Sequence, residues 1–128
     1  MDDGKISFER RSHNRYKVKD GAFAVHRENI SKRKFGKILD ISNGGLSFSY
    51  FGTKKSSSGT FDLDILSLDT DFKLEKLQSK IISDYAIKEQ TRPGFIIKRR
   101  RGVQFEKLLK NQISKLKYFI THYTIVDE

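Results

Sequence analysis

The sequence contains no cysteine and one proline, and its uncharged apolar stretches are only a few residues long. Without cysteine the chain cannot have a disulfide framework, a thiolate nucleophile or a cysteine-based zinc site. The apolar stretches fall far short of the roughly 20 residues that a membrane-spanning helix needs. Residues 1–5 also lack the basic and then apolar pattern of a secretory signal. We therefore expect a cytoplasmic protein without membrane insertion.

The length and composition favour one compact domain. The chain has 128 residues, of which 36% are hydrophobic and 12% are aromatic, and this is enough apolar material for a single core. We find no internal repeat and no linker long enough to separate two domains. We expect a flexible N-terminal leader over residues 1–8, followed by a single domain over residues 9–128.

Positive charge is concentrated at the two ends of the sequence. The formal net charge is +10, and residues 1–40, 41–90 and 91–128 carry net charges of +5, −1 and +6. If the fold brings the two ends together, they form a positive face that attracts an anionic partner. The alternative is that the basic surface only keeps the protein soluble.

Most of the chain shows the alternation of apolar and polar residues that is typical of half-buried strands. Candidate strands cover residues 16–25, 35–41, 46–51, 60–65, 72–87 and 95–105. Residues 72–87 also fit helical spacing, through Leu74, Leu77 and Ile81. The basic run 98–101 could simply be a solvated face. On a strand its side chains alternate, so only two of the four can point the same way.

The C-terminal part changes to helical spacing. Leu109, Ile113, Leu116, Ile120 and Tyr123 recur at intervals of four, three, four and three residues, which predicts one face of an amphipathic helix of about four turns. Several short strands followed by one helix indicate a mainly β fold, a small barrel or sandwich with the helix packed on it.

The chain lacks the residue patterns of a catalytic or metal site. His13, His26 and His122 lie far apart in the sequence, and none has the spacing of metal ligands or of a general base. Asp62 and Asp64 alternate with apolar residues, so we expect them on a solvated strand face rather than as an acid–base pair. We therefore expect no enzymatic activity, no metal site and no cofactor.

Two short motifs carry the functional signal. The first is Arg11-x-x-x-Arg15, preceded by Arg10, in a polar arm without strand or helix periodicity. The second is Asp40-x-Ser42-x-x-Gly45, where Ser42-Asn43-Gly44-Gly45 predicts a turn because glycine accepts a positive φ. Each motif alone is weak evidence for a function, because short motifs of this kind also occur by chance. The two motifs together, in this order around one strand, are much more specific evidence.

Together the motifs resemble the signature of the PilZ domain, the bacterial receptor for cyclic di-GMP. The segment Gly102-Val103-Gln104-Phe105 and the helix after it also resemble the end of that domain, so the resemblance extends from about Glu9 to Tyr123. It implies a six-stranded antiparallel β-barrel with a C-terminal α-helix. It also implies a non-catalytic receptor in second messenger signalling, with cyclic di-GMP as ligand and a downstream effector protein as partner.

The resemblance implies seven ligand-binding residues: Arg10, Arg11, Arg15, Asp40, Ser42, Gly44 and Gly45. A guanidinium group can bind guanine O6 and N7 or bridge phosphate oxygens, while a carboxylate accepts from the N–H groups on the other edge of guanine. A serine hydroxyl can donate to a phosphate, and the glycines allow the backbone to approach the ligand. An arginine just before the first motif arginine further implies binding of an intercalated ligand dimer.

A basic β-barrel that binds RNA or single-stranded DNA is the main alternative function. Lysine and arginine would contact phosphates. The rings that could stack on bases are Phe48, Tyr50, Phe61 and Phe105, although aromatic residues at strand spacing are more often core residues. A third possibility, besides the receptor and the nucleic-acid-binding barrel, is a PilZ-like adaptor that no longer binds ligand and acts only through protein contacts. The intact motifs favour the receptor, which needs no nucleic acid polymer as partner.

Overall fold

The computed structural model describes residues 14–29, 32–52, 59–87 and 97–125. Within these ranges the elements are β1 (Tyr16–Lys17), β2 (Ala22–Asn29), β3 (Lys32–Ile41), β4 (Gly45–Gly52), β5 (Phe61–Ser67), β6 (Lys73–Ala86), β7 (Ile97–Lys107) and α1 (Lys110–Tyr123). The predicted leader over residues 1–8 lies outside the described residues. In the part of the chain that the structure describes, no helix has the length and apolar character that crossing a bilayer requires.

Strands β2 to β7 form a closed antiparallel barrel. Neighbouring strands follow the order β3-β2-β5-β6-β7-β4, and β4 pairs back with β3 to close the sheet. The short strand β1 extends the barrel by pairing Tyr16 with Ile41 at the end of β3. The predicted six-stranded barrel with a C-terminal helix is therefore confirmed, and residues 73–86 form a strand rather than a helix.

The barrel interior is apolar over most of its length. Alternate residues of each strand point inward, and the buried set includes Ala24, Ile38, Phe48, Leu63, Ile65, Leu77 and Val103. Burial of this apolar surface is the main favourable contribution to folding. The opposite residues of the same strands therefore face outward, and those of β3, β4, β6 and β7 form one continuous outer surface.

Helix α1 packs on the barrel with a face that differs from the predicted one. Leu116 and Phe119 are buried as core residues, but Leu109 and Ile113 are 62% and 40% exposed. Gln112 is buried in their place. The predicted burial of Leu109 and Ile113 is therefore wrong, because a polar side chain fixes the first turn of the helix.

Gln112 binds β6 at Lys76, where a bulge interrupts the pairing of β6 with β5. The same bulge explains an unexpected buried carboxylate. The Gln112 amide donates to the Lys76 carbonyl oxygen at 3.0 Å, and Lys76 has a left-handed φ of 58°. The Lys76 N–H donates to Asp64 Oδ1 at 2.9 Å, and Arg27 pairs with Asp64 Oδ2 at 2.7 Å. The expectation of a solvated face holds for Asp62 but is wrong for Asp64, because this carboxylate binds the bulge.

A buried polar network occupies part of the barrel interior. Arg101, which is 1% exposed, donates to Asp84 at 2.8 Å and to the Tyr50 hydroxyl at 3.0 Å. Arg99 donates to the other Asp84 oxygen at 2.6 Å. Burial by itself raises the pKa of Asp84, but hydrogen bonds from Tyr50, Arg99 and Arg101 bring it below its ordinary value. Burial and the bond to Asp84 raise the pKa of Tyr50 to about 12.

His26 belongs to the same network and is held neutral. The Arg101 guanidinium lies 3.1 Å from His26 Nδ1, and since arginine can only donate, Nδ1 accepts. The imidazole also stacks on Phe61 with ring centroids 3.6 Å apart. Burial, reinforced by the positive charge of Arg101, lowers the pKa of His26 to about 4.

The neutral His26 predicts a loss of stability in mild acid. In the unfolded chain this histidine takes up a proton near its ordinary pKa of 6.5. In the folded protein its pKa is about 4, so it takes up the proton only at lower pH. The free energy of unfolding should therefore fall by about 2 kcal/mol between roughly pH 7 and pH 4.5. Denaturant unfolding across this range measures the loss.

Two asparagine variants provide the comparison. His26→Asn keeps an acceptor toward Arg101 but cannot titrate, so most of the pH dependence should disappear. His122→Asn removes a histidine from the exposed end of α1 and should keep the wild-type dependence. Equal pH dependence in wild type and His26→Asn would contradict this role of His26.

Candidate functional site

The turn between β3 and β4 is built by Ser42 and the residues after it. The Ser42 N–H donates to the Gly45 carbonyl oxygen at 2.8 Å, and the Gly44 N–H donates to Ser42 Oγ at 3.1 Å. Ser42 is 7% exposed. Its hydroxyl therefore organises the turn in the free protein.

Gly45 is required by the neighbouring strand. A Cβ at this position would collide with the carbonyl oxygen of Val103 on β7, and the Phe105 N–H donates to the Gly44 carbonyl oxygen at 2.9 Å. Among the described glycines, positive φ angles occur at positions 21, 52 and 59, so the left-handed turn expected at Gly44 and Gly45 is not found. Close packing against β7, rather than a turn conformation, explains the glycine at position 45.

The Asp40 carboxylate is the centre of the polar contacts beside this turn. Its Oδ1 accepts from Ser47 Oγ at 2.8 Å and from Arg15 Nη1 at 3.2 Å. Its Oδ2 accepts from Arg100 Nη2 at 2.7 Å, and the same Nη2 donates to Ser47 Oγ at 3.0 Å. One carboxylate thus joins side chains from the N-terminal arm, β4 and β7.

The exposed fractions of these side chains show which contact of Asp40 is partly buried and which one is exposed and weak. The Arg100–Asp40 pair is partly buried, with side-chain exposures of 33% and 18%, whereas Arg15 is 54% exposed. An exposed ion pair contributes at most about 1 kcal/mol. Arg15 can therefore leave Asp40 at small cost, while Arg100 and Ser47 keep the carboxylate in place.

Strand pairing places small side chains in one row beside these charges. Asp40 lies opposite Ser47, Ser47 opposite Gly102, and Gly102 opposite Ser83, across β3, β4, β7 and β6. This row contributes to a surface cleft of about 790 Å³, which the side chains of Arg15, Arg100, Ile82 and Tyr85 also line. We call it the first cleft.

The first cleft has the features of a site for a planar anion. Its volume lies within the usual range of small-molecule pockets. Small residues leave room for a flat ring, and Ile82 and Tyr85, which are 54% and 51% exposed, offer apolar surface beside it. Arg15 and Arg100 supply guanidinium groups for phosphate or purine acceptors. Within the described ranges, no group of three histidine or acidic side chains could hold a metal ion.

The structure places five of the seven predicted binding residues around this cleft. Arg15, Ser42, Gly44 and Gly45 line it, and Asp40 bonds to three of its lining side chains. Arg10 and Arg11 lie outside the described residues. The binding role of all seven remains a prediction from the sequence.

Sequence reasoning missed Arg100 and Ser47. The signal for Arg100 was present, since alternation in the basic run puts Arg99 and Arg101 on one face and Lys98 and Arg100 on the other. Choosing between the faces required the pairing of β7 with β4, which places Arg100 60 residues from Asp40 in sequence but 2.7 Å away in space.

The four aromatic rings proposed for stacking on nucleic-acid bases lie in the core. Phe48, Tyr50, Phe61 and Phe105 are 0%, 2%, 7% and 7% exposed. A base cannot reach these rings without unfolding the barrel. The alternative of a nucleic-acid-binding barrel that uses these platforms is therefore wrong.

Comparison with known proteins gives a match in fold. No protein-family model and no curated protein matches the sequence. Among solved structures, the chain is similar to K. pneumonia MrkH in its complex with c-di-GMP, with a TM-score of 0.68 and 12% sequence identity. The match covers 87% of this chain and 51% of that chain, so this chain spans about half the length of that structure. At this identity the likeness shows a shared fold.

Proposed function

We propose that the chain is a non-catalytic receptor of the PilZ type, which binds cyclic di-GMP in the first cleft. The observation that carries the proposal is that Asp40 bonds to both Arg15 and Arg100, beside the row of small residues in the first cleft. The two sequence motifs support the same ligand. The fold shared with MrkH, which was solved as a c-di-GMP complex, adds further support.

The ligand matches the groups of the first cleft in chemistry. Each guanine offers acceptors at O6 and N7 on one edge, which suit the Arg15 or Arg100 guanidinium groups. The other edge carries N1–H and N2–H donors, which suit the Asp40 carboxylate. The phosphates can accept from the guanidinium groups.

Binding would exchange a weak internal contact for stronger ones to the ligand. Arg15 leaves Asp40 Oδ1 for a phosphate or a guanine edge, and this frees Oδ1 for guanine donors. Arg10 and Arg11 add further guanidinium groups, and binding orders the arm that carries them over the ligand. The ordered arm changes the surface that a downstream effector protein contacts.

The same contacts indicate an affinity in the micromolar range. A hydrogen bond that involves a charged group contributes about 1.5–3 kcal/mol net. Four or five such contacts, less the cost of ordering the arm, leave about −8 kcal/mol, or a Kd of the order of micromolar.

The first cleft lacks a catalytic arrangement within the described residues. No histidine lines it, and His26 is buried in the barrel interior. The Ser42 hydroxyl is engaged by the backbone of its own turn. We therefore propose recognition of the dinucleotide without bond cleavage, and with no cofactor.

Alanine substitutions in the cleft should weaken binding at least about tenfold, because each removes a charge-assisted contact. Arg15→Ala, Arg100→Ala and Asp40→Ala are the three variants, and calorimetric titration with cyclic di-GMP measures their affinities. GTP and a short oligonucleotide serve as control ligands and should bind much more weakly.

Arg33→Ala is the matched control, since it removes the same charge from an exposed position at the other end of β3. It should bind like wild type. Arg15→Ala should also keep the wild-type melting temperature, because the ion pair that Arg15 makes within the described residues is exposed. Wild-type affinity in both Arg15→Ala and Asp40→Ala would contradict the proposed site.

Arg10 predicts that two ligand molecules bind per chain, as an intercalated dimer. The resemblance to the PilZ signature supports this proposal, because an arginine just before the first motif arginine is associated there with an intercalated pair of ligands. Arg10→Leu should shift the calorimetric stoichiometry from two ligands per chain toward one. An unchanged stoichiometry would remove this part of the proposal and leave the first cleft unaffected.

A further inference from the structure

A second cleft lies next to the first on the same outer face of the barrel. Its volume is also about 790 Å³, and Arg100 and Tyr85 line both clefts. The residues that distinguish it include Lys37, Ser49 and Lys98. None of these three residues lines the first cleft.

Strand register explains why the two clefts are adjacent. Lys37 lies opposite Ser49, Ser49 opposite Arg100, and Arg100 opposite Tyr85, across the same four strands as the first row. On β4, β6 and β7 this second row is two residues from the first, which corresponds to roughly 7 Å along a strand. The outer face thus has one row of small residues and, next to it, one row with two cations and an aromatic ring.

The charge of the second cleft is strongly one-sided. Lys37, Lys98 and Arg100 line it, and no carboxylate is among its lining residues in the part of the chain that the structure describes. Lys37 pairs with Asp20 at 2.9 Å, with side-chain exposures of 48% and 91%. Such an exposed pair is weak, so a ligand phosphate can replace Asp20 on Lys37.

Tyr85 adds an apolar surface to this cationic cleft. Its side chain is 51% exposed, and its position opposite Arg100 puts the ring between the two clefts. Bases stack favourably on exposed aromatic side chains. Cations together with an exposed ring are suited to a phosphorylated purine rather than to an inorganic anion alone.

Arg100 connects the two clefts physically. Its Nη2 makes both bonds on the side of the first cleft, to Asp40 and to Ser47. Within the described residues, its other guanidinium nitrogens have no hydrogen-bond partner. One guanidinium can therefore hold Asp40 in place and contact an anion in the second cleft at the same time.

We propose that the second cleft binds a second guanine–phosphate unit, with Lys98 and Lys37 on the phosphate and Tyr85 against the base. This inference rests on the proposed function, since its ligand is also cyclic di-GMP. The second unit is either the other half of the same ligand or part of a second ligand molecule.

The test is calorimetric titration of the full chain with cyclic di-GMP, comparing wild type, Lys98→Gln and Lys107→Gln. Lys107 lies on the same strand and is exposed, but it lines neither cleft. Lys98→Gln should weaken binding about threefold to tenfold or remove one of two binding events, whereas Lys107→Gln should match wild type. Tyr85→Leu should weaken binding, and Tyr85→Phe should restore it.

The outcomes separate this inference from the proposed function. If Lys98→Gln weakens binding and wild type binds one ligand per chain, the two clefts hold the two halves of one molecule. If wild type binds two ligands per chain, the two clefts hold separate molecules. Wild-type binding in both Lys98→Gln and Tyr85→Leu, together with a loss in Arg15→Ala, overturns the second cleft and leaves the first. Absence of any cyclic di-GMP binding to wild type overturns both.

Discussion

The hydrogen bonds to the Asp40 carboxylate are the interaction on which the proposed site depends. Arg15, Ser47 and Arg100 come from distant parts of the sequence, and this one acceptor joins all three. The partly buried bonds to Ser47 and Arg100 fix the carboxylate, whereas the exposed bond to Arg15 can be exchanged. The same group is thereby positioned in the free protein and accessible to a ligand.

Barrel closure makes this arrangement possible. Pairing of β4 with both β3 and β7 brings Asp40, Ser47 and Gly102 into one row, and the glycine at position 45 lets β4 approach β7. The buried Arg101–Asp84 pair lies on the opposite face of the same strands, β7 and β6. Side chains of β7 therefore serve both the interior network and the outer surface, according to the strand alternation.

Much of the fold could be predicted from the sequence, because alternation, turns and helical spacing are local signals. Contacts between distant segments could not be predicted in this way. Gln112 replaced Ile113 on the buried face of α1, and Asp64 was buried by the bulge at Lys76. For the site, the motif gave Asp40 by resemblance, but its partner Arg100 depends on which strand pairs with β4.

Hydrogen exchange with and without cyclic di-GMP tests the central claim most directly. We expect slower exchange in residues 7–16, where the arm is proposed to fold over the ligand, and at residues 40–47 and 98–102, which include Asp40 and Arg100. The outer face of β2 and β5 should show no change. Protection confined to β2 and β5, or none at saturating ligand, would contradict the assignment of the site.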